Sequence, residues 1–188
     1  ISPDGQRTFA TFLGAAATLE PEDLGEEMLQ GYRYLYLEGY LVQNHELINR
    51  AVRLAKNLGM KICLDMASYN IVESDLDYFT KLVSEHIDVV FANEEESRAF
   101  TGLEPEKSLE KIASMCDTVI VKLGARGSIA RSKTAQGGYA MREMLKKLST
   151  PRRRETSLRR DSCTLLRRDV RWKFASKPER CFPLRLYR

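Results

Sequence analysis

The sequence is poor in the residues that build metal centres and cross-linked frameworks, with two histidines and four cysteines among 188 residues. Cys63, Cys116, Cys163 and Cys181 are scattered and form no C-x-x-C pair. That spacing argues against a zinc site or a disulfide scaffold, and the four are read as reduced thiols. Long apolar runs are missing too: none approaches the roughly 18 residues that would span a bilayer. No basic, apolar, small-residue leader opens the chain, so membrane and secretory classes are disfavoured and a cytoplasmic protein is expected. The first residue is Ile1 rather than Met, so the natural start is expected to lie upstream. Glycine stops at Gly138, leaving the last quarter without the residue that tight turns and phosphate-cradling loops require.

What is present is an ordinary 43% of hydrophobic residues and a net charge of +4. That total conceals a division. Residues 1–133 carry 14 basic and 21 acidic side chains, and residues 134–188 carry 16 basic and 5 acidic. A reversal this sharp marks either a polyanion-binding tail or sequence that was not selected to fold with the rest. The chain is therefore divided into an ordered unit, 1–133, and a basic tail, 134–188. Arg152, Arg153, Arg154, Arg159, Arg160, Arg167 and Arg168 follow no apolar period and few aromatics interleave with them. The tail is expected to be disordered, poorly packed or out of frame, with no specific nucleic-acid role.

Within 1–133, strand-like and helix-like signals alternate. Strands are predicted over 7–13, 32–37, 61–66, 89–92 and 118–123, with 128–131 returning as a hairpin partner. Helices are predicted over 21–30, 45–58, 74–85, 94–100 and 108–115, the second on the spacing of Leu47, Ile48, Ala51, Leu54, Ala55 and Leu58 and stopped by Gly59. A further helix is expected over 140–148. This alternation predicts an α/β architecture with a mostly parallel sheet between helices.

In such a sheet, ligands bind beyond the carboxyl ends of the strands. Four predicted strands run out into polar residues there: Glu38, Asp65, Asn93 with Glu94 to Glu96, and Lys122 followed by Gly124, Ala125, Arg126 and Gly127. Gly124 and Gly127 bracket a turn whose backbone N–H groups can approach a ligand, with Lys122 or Arg126 adding charge near phosphate; a plain hairpin turn fits the same residues. Asn93 and Glu96 stand one turn apart at a helix start, where they can serve Mg2+ and phosphate or simply cap the helix. Glu38 and Asp65 can accept hydrogen bonds from hydroxyls or stand solvated. His45 and His86 have no acid or nucleophile at catalytic spacing in the sequence and receive no role.

The order of these pieces is more specific than any one of them. The succession Leu37-Glu38-Gly39-Tyr40, Leu64-Asp65, Phe91-Ala92-Asn93-Glu94-Glu95-Glu96 and Val121-Lys122-Leu123-Gly124-Ala125-Arg126-Gly127-Ser128, preceded by Arg7-Thr8-Phe9 and Gly14-Ala15-Ala16-Ala17, resembles the PfkB, or ribokinase-like, family of sugar and nucleoside kinases. Adenosine kinase-like and carbohydrate kinase-like members are the most similar, over residues 1–133. The resemblance implies a ribokinase-like fold, ATP-dependent phosphorylation of a primary hydroxyl on a sugar or nucleoside, and Mg2+. It places Asn93 and Glu96 in the family's Asn-x-x-Glu motif, tied to magnesium and phosphate. It places Lys122, Gly124, Ala125, Arg126 and Gly127 in the ATP-contacting turn, and Glu38 at a sugar-contacting acid. A homodimer is compatible with it.

The family's Asp-Thr-x-Gly-Ala-Gly-Asp segment, which supplies an anion hole and the base that takes the hydroxyl proton, does not occur in this sequence. No catalytic residue is therefore assigned. A frame change near Lys133 would account together for the charge reversal, the lost periodicity and the missing segment. The alternative is a non-catalytic nucleotide-binding fragment with a basic tail, and a third is a chain that does not fold stably.

Overall fold

The computed structural model describes residues 18–133, 139–144 and 184–187. The expected strand at 7–13 and most of the basic tail lie outside them. Seven strands form one sheet in the order β6-β5-β4-β3-β2-β1-β7. The strands are β1 (Tyr34–Glu38), β2 (Lys61–Asp65), β3 (Val89–Asn93), β4 (Thr118–Lys122), β5 (Ser128–Lys133), β6 (Tyr139–Met144) and β7 (Leu184–Tyr187). β1 to β4 run parallel, as the alternation of elements requires, and β5, β6 and β7 pair antiparallel at the flanks. The hairpin partner expected after Gly127 is β5.

Among the described residues α1 (Glu26–Leu29) precedes β1, and α2 (His45–Asn57), α3 (Tyr69–Ser74), α4 (Leu76–Glu85), α5 (Glu94–Thr101) and α6 (Pro105–Ala113) connect the parallel strands. α2 forms where its sequence period demands, burying Leu47, Ile48, Ala51, Val52, Leu54 and Ala55. Its start is fixed by Asn44, whose side chain accepts from the Leu47 N–H at 3.1 Å, and Gly59 turns the chain at a φ of 68°.

Three expectations differ. The helix expected over 21–30 is a 3₁₀ turn (Pro21–Asp23) followed by the short α1. The backbone is extended at Leu24 and at Gly25, where helix propensity is lowest, and the helix is interrupted there. The helix expected over 74–85 is α4 preceded by a separate α3, the break falling at Asp75. The helix expected over 140–148 is a strand from Tyr139 to Met144, paired in register with β5; residues 145–148 lie outside the described ones.

Strand alternation sorts the core into two faces. Leu35, Leu37, Ile62, Leu64, Val90, Ala92, Val119 and Val121 pack with the buried sides of the helices. The intervening positions Tyr34, Tyr36, Cys63, Val89, Phe91 and Ile120 form a second apolar cluster on the opposite face. Both faces are buried, which is why these strands read as continuous apolar runs.

Candidate functional site

The parallel strands end in Glu38, Asp65, Asn93 and Lys122, each the last residue of its strand. Register makes the grouping exact enough to follow: Glu38 pairs with Asp65, Asp65 with Phe91, and Asn93 with Lys122. All four share the alternation of Tyr36, Cys63, Phe91 and Ile120, so they continue the second apolar face into a polar rim. The convergence expected from sequence is what the fold produces.

Asp65 lies at the centre of this rim and is only 3% exposed. The Tyr36 hydroxyl donates to its Oδ2 at 2.9 Å, the Ala67 N–H to its Oδ1 at 3.1 Å, and the Lys122 ammonium approaches Oδ2 at 3.5 Å. The Lys122 reach crosses β3, so it spans two strand spacings, roughly 10 Å of sheet. A buried carboxylate requires such partners, because an unpaired charge in the interior is strongly disfavoured. The turn that follows Asp65 is tight: Ala67 adopts a φ of 62°, uncommon for a residue with a Cβ.

Gly39 abuts this turn from β1. A Cβ at Gly39 would stand 2.5 Å from the Met66 carbonyl oxygen and 2.9 Å from that of Asp65. Glycine is thus required where the ends of β1 and β2 converge, a constraint that the sequence showed only as a glycine after a strand.

Asn93 and Glu96 form a reciprocal cap on α5. The Glu96 N–H donates to Asn93 Oδ1 at 2.8 Å, and the Glu96 carboxylate accepts from the Asn93 N–H at 2.8 Å and from its side-chain Nδ2 at 2.7 Å. Glu96 is 3% exposed despite its charge. The capping role anticipated for these residues is therefore realised, and it delivers a buried carboxylate to the rim at a helix N-terminus.

After Lys122 the chain makes a 3₁₀ turn (Gly124–Arg126) and enters β5, with Gly124 at φ 54° and Gly127 at φ 91°. Among the described residues nothing lies within 4 Å of the position a Gly124 Cβ would take. Arg126 is exposed and pairs with Glu94 and, at 3.7 Å, with Glu106. Its pKa is raised, first by the hydrogen bond to Glu94 and then by the Glu94 charge. This ties the turn to the start of α5, so the glycine turn and the Asn93–Glu96 cap are neighbours.

Two features were invisible in sequence. Tyr36 reaches Asp65 from 29 residues away, and Lys122 does so from 57; only the parallel register brings them together. His45, for which the sequence showed no acid at catalytic spacing, hydrogen-bonds with Asp75 and stacks on Tyr78 with ring centroids 3.8 Å apart. Asp75 stands at the α3–α4 break, where its carboxylate turns to His45 rather than capping α4. Burial pushes the Tyr78 hydroxyl up to about 12. This cluster joins α2 to α4 and lies outside the rim's hydrogen-bond set.

Among the described residues no group of three His, Cys, Asp or Glu side chains is placed to hold a metal ion, and no helix is long and apolar enough to cross a membrane.

Fold and rim together define a class: an α/β domain whose carboxyl-edge rim joins a glycine turn to a capped helix N-terminus. The chain belongs to the pfkB family of carbohydrate kinases, whose pattern it matches over residues 1–146. The match extends past residue 133 to include β6. Solved structures agree. An adenosine kinase from Sinorhizobium meliloti is 25% identical with a TM-score of 0.59, covering 70% of this chain and 41% of its own. An adenosine kinase from Anopheles gambiae is 17% identical with a TM-score of 0.57, covering 69% and 46%. An Escherichia coli protein solved with ATP and Mg2+ is 19% identical with a TM-score of 0.58, covering 71% and 45%. The chain thus spans less than half the length of these proteins. No protein of curated function matches it.

Proposed function

We propose that this chain carries the nucleotide half of an ATP-dependent phosphotransferase acting on a primary hydroxyl of a sugar or nucleoside, and that by itself it is catalytically incomplete. The observation that carries this reading is the meeting of Lys122, the Gly124–Arg126 turn and the Asn93–Glu96 cap along one rim. Family membership and a neighbour solved with ATP and Mg2+ support it.

The roles follow from chemistry. Backbone N–H groups of the turn through Gly127 would meet the nucleotide phosphates, Lys122 would place an ammonium beside them, and Arg126 would line the outer side. Glu38 would accept hydrogen bonds from substrate hydroxyls. The donor set suits Mg2+ held through its water shell: a single buried carboxylate, Glu96, with the Asn93 amide beside it, is what a hard cation shared with phosphates commonly uses. Bound there, the ion would neutralise phosphate charge. The missing Gly-Ala-Gly-Asp segment leaves the chain without a general base or the anion-binding N–H groups that would accompany it.

Calorimetric titration with ATP, with and without Mg2+, tests the binding half, and a coupled assay with adenosine and ribose tests turnover. The expected result is magnesium-dependent binding with negligible turnover. Gly124→Val, whose Cβ meets no atom of the described residues but whose φ of 54° costs about 1–2 kcal/mol of strain, should abolish that binding. Unchanged affinity would remove the turn from the site. A second reading, a nucleotide-binding fragment whose basic tail attracts polyanions, rests on the excess of 16 basic over 5 acidic residues in 134–188; salt-sensitive binding to heparin by the full chain would favour it.

A further inference from the structure

Lys122 and Asp65 form a buried ion pair at the centre of the rim, with side chains 17% and 4% exposed and Nζ lying 3.5 Å from Oδ2. By contrast, Lys61 and Asp117 at the other end of the strands are 53% and 49% exposed. Stability alone does not account for the buried pair. Its strands, β2 and β4, are both paired to β3, and Cys63 and Ile120, two residues earlier on the same face, are apolar and buried. Apolar side chains continuing that pattern would hold the strands at least as well, because removing two charges from water generally costs as much as their attraction returns.

The two members of the pair are held unequally. Asp65 is fixed through both oxygens, Oδ1 accepting from the Ala67 N–H at 3.1 Å and Oδ2 from the Tyr36 hydroxyl at 2.9 Å. Lys122 carries its charge on a long flexible stem, and the chain runs on from it through Leu123 into the Gly124–Arg126 turn. The carboxylate is the more deeply buried of the two, so what the pair presents to the rim is its cation. An ammonium has several N–H donors and no acceptor, so contact with one carboxylate oxygen leaves donors for a second anion.

Resting on the nucleotide reading of this rim, we propose that Asp65 is a positioning residue, a concealed carboxylate that holds the Lys122 ammonium in place for the phosphate chain of a nucleotide. Without it, Lys122 would be a partly buried cation lacking its counter-charge, and its stem would carry the ammonium out to water. Ordering that stem would then oppose binding, a cost that a preformed pair removes. Because the carboxylate is the deeper member, its repulsion of phosphate acts over a longer distance than the attraction of the ammonium.

Titrating Mg2+ and ATP calorimetrically into the full-length parent, Asp65→Asn, Lys122→Met and the double variant closes a double-mutant cycle. Each single variant should weaken ATP binding by about tenfold, and the double variant should bind no more weakly than Lys122→Met, since Asp65 acts through the lysine. A purely structural role for Asp65 would instead multiply the two losses to about a hundredfold. That result, or unchanged affinity in either single variant, overturns the proposal while the parent's binding leaves the nucleotide reading standing. A parent that binds no ATP overturns the reading and the proposal together. Side-chain relaxation of Lys122 in the ligand-free parent, assigned by comparison with Lys122→Arg, needs no Asp65 variant to fold. An order parameter above about 0.6 at its Cε is expected of a held ammonium, and a value below that overturns the proposal.

Discussion

Gly39 shows how one residue can determine whether the rim assembles. Its missing side chain is what allows the end of β1 to approach the Met66 carbonyl, and a methyl there would sit 2.5 Å from backbone that has no rotamer to move. Gly39→Ala should therefore destabilise the fold by about 1–3 kcal/mol, the usual cost of overpacking, and displace the turn that holds Asp65. Urea unfolding reads the first effect; a stability equal to that of the parent would mean that the strand ends separate freely. Cys116 illustrates the opposite case, a reactive group made inert by its surroundings. Burial pushes its thiol up to about 12, and its single S–H has the carbonyls of Thr118, at 3.3 Å, and Ile112, at 3.4 Å, as alternative acceptors. With Cys163 and Cys181 replaced by Ser, the native protein should react with a thiol reagent at pH 8 far more slowly than after unfolding.

At the scale of elements, α5 carries the clearest link between sequence and site. Asn93→Ala removes the acceptor for the Glu96 N–H and the amide donor to a carboxylate that is 3% exposed. Loss of a cap together with loss of a hydrogen bond to a buried charge should cost about 2–4 kcal/mol in urea unfolding. A cost below about 0.5 kcal/mol would show that the cap is dispensable. This element was legible because its signals are local: Asn93 and Glu96 stand three residues apart after an apolar run, and Gly102 closes the helix at a φ of 73°. α2 was legible for the same reason, its buried face recurring with helical period. α3 was not, because six residues with only Val72 buried leave no period to detect. The rim itself could be read, since each apolar run ended in a polar residue, whereas the hydrogen bonds that organise it could not. Tyr36, Asp65 and Lys122 are adjacent only through the register of three parallel pairings, and nothing in their sequence separation signals it. The β conformation of 139–144 was missed because a pattern of mixed apolar and charged residues suits an edge strand as well as a helix face.

The molecule as a whole is stitched at the edge of the sheet opposite the rim by a charge network whose sign makes a prediction. Lys61, the first residue of β2, donates to Asp88 Oδ1 at 2.6 Å and to Asp117 Oδ2 at 3.0 Å, while Lys133 at the end of β5 approaches Asp117 at 3.5 Å. Asp88 also accepts from the Ile62 N–H at 2.8 Å, so the network links the starts of β2, β3 and β4 to the end of β5. The hydrogen bond to Asp88 raises the Lys61 pKa against the opposing effect of burial. Burial pushes the Asp117 carboxyl up, but the hydrogen bond and charge of Lys61 outweigh it and hold the group below its ordinary value. A raised lysine contributes stability that is complete below its unfolded value and is lost as pH climbs through the folded one. A lowered carboxyl contributes stability that is complete above its unfolded value and is lost as pH falls through the folded one. The network therefore stabilises the fold most between about pH 5 and pH 9 and weakens on both sides. Because Lys61 and Asp117 are each about half exposed, 53% and 49%, the effect is modest, on the order of 1 kcal/mol or less. Comparing the urea midpoints of the parent and Lys61→Met across pH isolates it, since burial and packing differences between the two side chains are constant with pH. The gap between the two midpoints should be widest near neutrality and should close toward pH 3 and again above pH 11. A gap that stays constant over that range would mean that Lys61 acts through the packing of its aliphatic stem, and that the charges at this edge do not hold the strands together.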